Sequence, residues 1–484
     1  MITANFSRVP GACARAAAIV LLALATFANV GAVRAATIVI VNQNAPGVGF
    51  NDPTPAAPVG GNTGTTLGAQ RLIAFQRAAD IWGDTLVSNV PIRVGASFVP
   101  LACNATGAVL GSAGANEIWS DFPGAPRANT WYPAALAGKL SGADVSAPDV
   151  PHIIARFNSR LGLFADCVPG LIFYLGIDNN PGDDIDLVTT LLHEMAHGIG
   201  FQTFTDNQTG EQILDIPSIW DHYLIDNRSE RLWVQMTDAE RAASAVTWRG
   251  LSWNGANVTA AVPAVLASAS VLAISGPNAG GAAGAYAVGD ASFGPPLSGT
   301  PVSGQLMPVI DGSNGLGLAC TQLNSANARA VRGNIALVDR GTCDFVVKAR
   351  NVQAAGAIGM VLADVVPGEV AGLPGVDPAI TIPSVRITQA DGQTLKAALQ
   401  GRSRTRSGVI AALASDGTRL AGADAQRRML MYTPSIIAPG SSVSHYTTEA
   451  TPNLLMEPSI NSDLLHVVAP PRDLTYPLLR DIGW

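Results

Sequence analysis

The sequence predicts an α+β fold in which one domain is interrupted by a second, smaller α/β domain. A length of 484 residues is enough for two or three domains, each with its own core. Apolar residues recur at helical spacing over residues 185–199, and short apolar runs that are typical of strands lie before and after them. From about residue 264 to 412 the composition shifts to Gly, Ala, Val and Pro in a β-α-β order, which indicates a separate domain.

Composition and charge exclude several classes of protein. A hydrophobic content of 48% with 13% charged residues favours a folded globular chain over a disordered one. The formal charge of −7 becomes −10 if Arg8, Arg15 and Arg34 leave with a leader peptide. This balance offers no basic surface for nucleic acid or for an anionic membrane.

Residues 1–35 have the pattern of a secretory signal peptide. Arg8 and Arg15 precede an apolar run over residues 16–28, and Val33-Arg34-Ala35 offers a small-residue cleavage site. The alternative is a membrane anchor, but the run is too short to span a bilayer. We therefore expect a secreted, extracellular or periplasmic protein that is cleaved near Ala35 and has no stable membrane insertion.

Export predicts oxidised cysteines. Four cysteines remain after Cys13 leaves with the leader, and four cysteines allow three pairings. Because the four fall in two groups on either side of the central helix, we expect the pairs Cys103–Cys167 and Cys320–Cys343. No C-x-x-C spacing occurs, so these cysteines are not expected to bind zinc.

The elements before residue 183 are predicted from apolar spacing. A loop-rich stretch is expected over residues 101–170. The turn over residues 176–182 carries carboxylates that could bind Ca²⁺, but a solvated turn is favoured because the spacing is not that of an EF-hand. The predicted strands are Thr37–Val41, Ile92–Phe98 and Leu171–Leu175, with a helix marked by Leu72, Phe75, Ala79, Trp82 and Leu86.

The central helix carries the chemistry. Ile185, Val188, Leu192, Met195 and Ile199 recur at helical spacing, and Asp183 or Asp184 is expected to cap the helix. His193 and His197 lie one turn apart on a face distinct from this apolar stripe, so they are expected to point away from the core. Two imidazoles at this spacing suit Zn²⁺, and Glu194 is placed to act on a metal-activated water. A merely solvated helix is the alternative.

The segment after the helix raises a question about the third zinc ligand. Gly198 and Gly200 are expected to end the helix and to allow a tight turn. The pattern H-E-x-x-H-x-x-G opens the longer metzincin motif, whose commonest form places a third ligand three residues later. That position is Thr203, which is not a usual zinc ligand.

The shifted region from 264 to 412 resembles a known domain family. The run from Asn334 to Phe345, followed by Lys348-Ala349 and Ala354-Ala355-Gly356-Ala357, is similar to a protease-associated (PA) domain. Such modules are inserted in or appended to unrelated secreted peptidases, so the resemblance implies a peptidase without saying which kind. Its predicted elements are strands at Asn334–Asp339, Ile358–Leu362 and Ile382–Ile387, and helices at Phe345–Ala355 and Gln389–Leu399.

The motif helix and a distant segment together resemble leishmanolysin, a metzincin in which an insertion separates the second and third zinc histidines. That resemblance implies a zinc site of His193, His197 and His445, with Met456 as the methionine beneath the metal. His445 is preferred over His222, which lies in the apolar run Ile219–Leu224, and over His466 and His152. For Met456 the less favoured alternative is a methionine that only fills the core. A last helix with Leu474, Leu478, Leu479 and Ile482 is expected to pack on the same domain.

The resulting expectation is a secreted zinc-dependent endopeptidase that acts on proteins or peptides, with one catalytic Zn²⁺ and Glu194 as general base. Its domains are expected at residues 36–263 and 413–484 (a zincin-like catalytic domain) and 264–412 (the inserted PA domain). A secreted binding protein or adhesin with a relict metal site is the alternative. A subtilisin-like enzyme would need a G-T-S-x-A-x-P segment, which is absent.

Overall fold

A computed structural model describes residues 35–312 and 316–484. The predicted signal peptide and Cys13 lie outside these residues. No helix within the described ranges combines the length and the apolar character needed to cross a bilayer.

A four-stranded sheet organises the N-terminal half of the chain. Its strands lie in the order Ile38–Asn42, Ile92–Val99, Ile153–Asn158 and Gly111–Ala115. The first three are parallel, and the edge strand Gly111–Ala115 is antiparallel to its neighbour. Two of these strands fall in the stretch 101–170, which the sequence presents as loop-rich, so the prediction missed this part of the sheet. Gly111–Ala115 consists of Gly, Ala and Ser and Ile153–Asn158 is short, so pairing with distant residues is what reveals them as strands.

Two helices pack against this sheet. Leu67–Thr85 is capped by the Thr66 side chain, and it donates a hydrogen bond from Trp82 Nε1 to the carbonyl of Leu192 in the second helix, Leu187–Ile199. This contact joins the first helix to the helix that carries the histidines. The other helices of this part are Ala134–Ser141, Asp238–Ala245, Ala256–Val265 and Thr475–Ile482, and a small sheet is formed by Leu224–Asp226, Leu251–Trp253 and Met429–Leu430.

The residues from Ser268 to Leu420 form a second structural unit, here called the inserted module. Its eight-stranded sheet has a parallel centre built from Val302–Pro308, Ile335–Asp339, Gly359–Ala363 and Ser384–Ile387. The long strand Ile410–Leu420 pairs antiparallel with Ser268–Ser275 and extends past the expected end at 412. The remaining strands are Gly284–Ala287 and Gly289–Asp290, and the helices are Ser325–Val331, Phe345–Ala354 and Gln389–Ala398.

The inserted module and the rest of the chain have separate cores. One apolar cluster draws its buried members from residues 36–266 and 429–482, whereas two others draw theirs from residues 272–413. The two ends of the module meet, because the Ala421 N–H donates to the Ala267 carbonyl at 2.9 Å. Because the ends of the module are close together, the two chain segments that flank it are also adjacent in space.

Both predicted disulfides are present. Cys103 is bonded to Cys167 and Cys320 to Cys343, with sequence separations of 64 and 23. The first bond ties the start of the 101–170 stretch to its end, and the second lies within the inserted module.

Replacing Cys103 and Cys167 together by Ala is expected to lower the free energy of unfolding by about 4 kcal/mol, because the bond closes a long loop in the unfolded chain. The disulfide Cys320–Cys343 closes a shorter loop, so replacing both of its cysteines by Ala should lower the free energy of unfolding by only about 3 kcal/mol. Denaturant unfolding of both variants measures the difference. Equal stability of the first variant and the wild type would contradict the expectation.

Candidate metal centre

The helix Leu187–Ile199 begins later than its sequence suggests. Its cap is Asp186, whose carboxylate accepts from the Thr189 N–H at 2.8 Å, and not Asp183 or Asp184. The reason is that Ile185–Asp186 pairs as a short strand with Phe173–Tyr174. Phe173–Tyr174 is the part of the predicted strand 171–175 that forms a strand. The end is as predicted, since Gly200 follows the last helical residue with a φ of 147°.

Every residue of this helix is buried. The sequence predicted that the histidines lie on a face distinct from the apolar stripe, but it did not predict that this face is covered as well. His193, Glu194 and His197, at 7%, 8% and 8% exposure, line a cavity of about 690 Å³. Segments from the C-terminal part of the chain close over this face, and periodicity within one helix carries no information about them.

The cavity brings together three histidines from distant parts of the chain. The Nε2 atoms of His193 and His445 are 3.1 Å apart, those of His197 and His445 are 3.2 Å apart, and those of His193 and His197 are 3.3 Å apart. Among the described residues these three form the group of His, Cys, Asp and Glu side chains that converges closely enough to hold a metal ion.

Backbone carbonyls set the tautomer of each imidazole. His193 Nδ1 donates to the Leu455 carbonyl at 2.7 Å, His197 Nδ1 to Phe201 at 2.7 Å, and His445 Nδ1 to Ser441 at 2.9 Å. A carbonyl only accepts, so in the neutral rings each Nε2 carries a lone pair and no proton. Burial lowers the pKa of His193 to about 4 and that of His197 to about 3, and it lowers the pKa of His445 well below the usual range. All three rings are therefore neutral near pH 7.

Three lone pairs directed at one point repel one another unless a cation lies between them. A tetrahedral zinc ion with Zn–N bonds of about 2.0–2.1 Å separates its nitrogen ligands by roughly 3.3 Å. The observed separations of 3.1–3.3 Å fit that arrangement. The donor set and its spacing therefore suit zinc.

Glu194 lies between the histidines in sequence and lines the same cavity. Burial raises the pKa of its carboxyl group to about 8, and an interaction with the backbone of Ala113 offsets part of that effect. Gly111 on the edge strand approaches this side chain so closely that a Cβ there would lie 2.9 Å from Glu194 Cγ and 3.0 Å from Oε1. The absence of a side chain at residue 111 leaves room for the carboxylate.

The turn Leu454–Glu457 links the helix to the segment that carries His445. The Leu455 carbonyl accepts from His193, and the Met456 carbonyl accepts from the Tyr446 N–H at 2.8 Å. Met456 itself is fully buried. The Leu455 N–H donates to Asp473 at 2.8 Å, so this buried carboxylate fixes the residue whose carbonyl accepts from His193.

The other three histidines are engaged elsewhere. His222 Nε2 lies 3.1 Å from Thr130 Oγ1, His466 Nε2 lies 3.0 Å from Asp186, and His152 Nε2 lies 2.9 Å from Asp144. Thr203, at the usual position of a third metzincin ligand, donates its hydroxyl proton to Asp221 at 2.7 Å.

Two residues of this site were not among the sequence candidates. Gly111 lies in a stretch that the sequence presents as loop, and Asp473 is a single acid ahead of the last helix. A carboxylate two residues before an apolar helix is an ordinary feature, so no signal in the sequence singles out Asp473. For Gly111 the sequence also offers no usable signal, because all five residues of Gly111–Ala115 are small and show no alternation of apolar and polar side chains.

A comparison with protein-family models matches residues 302–395 to the PA domain. The chain therefore has a mixed α/β architecture that contains a PA domain, as the sequence predicted. The match lies within the inserted module.

Curated relatives share only part of their length with this chain. The minor extracellular protease Vpr of Bacillus subtilis is 31% identical over 115 residues, which cover 23% of this chain and 14% of Vpr. Subtilisin-like protease SBT1.6 of Arabidopsis thaliana is 34% identical over 103 residues, 21% of this chain and 13% of that protein. The human ER degradation-enhancing alpha-mannosidase-like protein 3 is 43% identical over 76 residues, 16% of this chain and 8% of that protein.

Solved structures resemble the chain only in part. The match to a zinc aminopeptidase from Bacillus subtilis covers 33% of this chain and 35% of the aminopeptidase chain, with 20% identity and a TM-score of 0.21. The subtilisin-like protease Apa1 from Pseudoalteromonas sp. AS-11 covers 32% and 34%, with 19% identity and a TM-score of 0.22. Scores this low support no conclusion about the fold of the whole chain or its chemistry.

Proposed function

We propose that the protein is a secreted zinc-dependent endopeptidase of the metzincin type, with a PA domain inserted between the second and third zinc ligands. The observation that carries the proposal is the convergence of three neutral Nε2 atoms from His193, His197 and His445 within 3.3 Å of one another. The PA domain and the two relatives that are named proteases support the class of activity.

In this proposal each residue has a distinct role. Zinc, when bound, supplies Lewis acidity that polarises a peptide carbonyl and acidifies water, and its charge favours the ionised form of Glu194. The three imidazoles would hold the ion through their Nε2 atoms. Glu194 accepts the proton of the attacking water and delivers it to the leaving amine. Met456, which is buried in the turn that follows the carbonyl of Leu455, would be the methionine beneath the metal.

The edge strand Gly111–Ala115 offers a way to bind an extended peptide. It pairs on one side with Ile153–Asn158 and lines the cavity with its own residues. An edge strand presents unpaired N–H and C=O groups to which a peptide can add as a further strand. Such binding would place a peptide bond across the cavity beside Glu194, and it depends little on substrate sequence.

Metal analysis and a proteolysis assay test the proposal together. Purified protein should contain about one zinc per chain, and casein hydrolysis should stop with a chelator and return on addition of Zn²⁺. Stoichiometric zinc without hydrolysis of casein or of a peptide library would favour the alternative of a binding protein. Protein that holds no transition metal would contradict the proposed function.

Gly111→Ala is expected to lower the rate of hydrolysis about 10- to 100-fold with zinc content unchanged, because the new methyl group would displace the general base by a fraction of an ångström. Gly114→Ala on the same strand is the control. Its Cβ would meet only Gln202 Oε1, at 3.3 Å. Equal kcat/KM of the two variants would rule out this role for residue 111.

A further inference from the structure

A buried carboxylate lies behind one wall of the cavity. Asp221 has no exposed surface, and it accepts from Thr203 Oγ1 at 2.7 Å, Thr205 Oγ1 at 2.8 Å and the Ser218 N–H at 2.8 Å. None of the ion pairs within residues 35–312 and 316–484 includes it. Burial raises its pKa, and the hydrogen bonds oppose that effect. Burying a carboxylate without a cation beside it costs free energy of folding, so we expect this residue to fulfil a role.

The hydroxyls that bind Asp221 belong to a loop, Phe201–Asn207, that touches two of the three histidine segments. At its start the Phe201 carbonyl accepts from His197 Nδ1 at 2.7 Å. Further along, the Thr203 N–H donates to Ser444 Oγ at 3.2 Å, next to His445. At its end Asn207 Nδ2 donates to the Ser442 carbonyl at 2.7 Å. The loop is thus the physical connection between His197 and the segment Ser441–His445.

We infer that Asp221 is a positioning residue for the metal centre: it anchors the loop Phe201–Asn207 and so keeps His197 and His445 in register. This inference rests on the proposed zinc site. Asp221 does not touch the metal ligands or the cavity, and it acts only through the hydroxyls of Thr203 and Thr205, both of which line the cavity.

The chemistry of the contacts explains why a carboxylate is needed. Both oxygens of Asp221 accept, Oδ1 from Thr203 and Oδ2 from Thr205 and Ser218. Asparagine has the same shape but only one acceptor oxygen. With that oxygen toward Thr205 and Ser218, the amide group faces Thr203, whose hydroxyl must turn round to accept and so gives up its present hydrogen bond to residue 221. Asp221→Asn should therefore loosen the loop with little change in volume.

The test is zinc affinity, measured by competition with a chromogenic chelator at a temperature where every variant is folded. Asp221→Asn is expected to bind zinc 10- to 100-fold more weakly, as is usual for loss of a group that orients a metal ligand. Thr205→Val, which removes one hydroxyl and keeps the carboxylate, should weaken zinc binding in the same direction by a smaller factor. This second variant serves if Asp221→Asn is too unstable to purify.

A control separates positioning from a general loss of stability. The carboxylate of Asp481 also accepts several hydrogen bonds, from Trp253 Nε1 at 3.0 Å and the Asn257 N–H at 2.8 Å, but it has no contact with the loop. Asp481→Asn should lower the melting temperature and leave zinc affinity unchanged. Wild-type zinc affinity in both Asp221→Asn and Thr205→Val would overturn the inference alone. A wild-type protein without zinc would overturn the proposed function, and the inference with it.

Discussion

Glu194→Gln is expected to remove nearly all hydrolysis while zinc stays bound. The amide keeps the size of the side chain within a helix that is buried throughout, so the three imidazoles should stay in place. It cannot accept a proton from water at neutral pH, and loss of a general base costs typically 10²- to 10⁴-fold in rate. The measurement is kcat/KM on a fluorogenic peptide beside zinc content by elemental analysis.

The control for this variant is Gln202→Ala. Gln202 also lines the cavity, and its amide donates to the His197 carbonyl. An amide side chain does not act as an acid or a base near neutral pH. It should affect rate far less than Glu194→Gln. Full activity of Glu194→Gln would assign the base to another group.

The second large effect concerns the third ligand. His445→Ala is expected to reduce zinc from about one per chain to a small fraction after dialysis, because two histidines alone make a poor site. His445 is buried, and its Nε2 lies 3.1 and 3.2 Å from the other two. Hydrolysis should be lost together with the metal.

His222→Ala is the matched control, since His222 is the other candidate that the sequence offers. Its ring contacts Thr130 and lies outside the convergent group, so the variant should retain zinc and activity. If His222→Ala lost its zinc and His445→Ala kept it, the assignment of ligands would be reversed.

Local periodicity was sufficient for the elements that are long or strongly patterned. The strands Ile335–Asp339 and Gly359–Ala363 and the helix between them were predicted within a residue or two, as was the end of the histidine helix at Gly200. Apolar spacing of period 2 or 3.6 is a property of neighbouring residues, so a linear sequence displays it directly.

Prediction failed where the structure depends on contacts between distant residues. The strands Gly111–Ala115 and Ile153–Asn158 were not recognised, because their small or brief apolar runs become strands only by pairing with each other and with Ile92–Val99. The helix cap moved from Asp183 or Asp184 to Asp186 for the same reason, since a two-residue strand pairing delays the start of the helix.

The sequence by itself determined which chemistry to look for: a helix with two histidines and a glutamate at a spacing that suits zinc, and a PA module between that helix and the C-terminal segment. The resemblance favoured His445 as the partner of this pair, and the tertiary structure brings its ring to the other two. Only the tertiary structure decided that every residue of the helix is buried, and that Gly111, Asp221 and Asp473 adjoin or support the site. The physical reason is that ligand types and their spacing are local properties. The position of His445 depends on the closure of the chain over 248 residues, and the burial of the histidine helix depends on which distant segments pack over it.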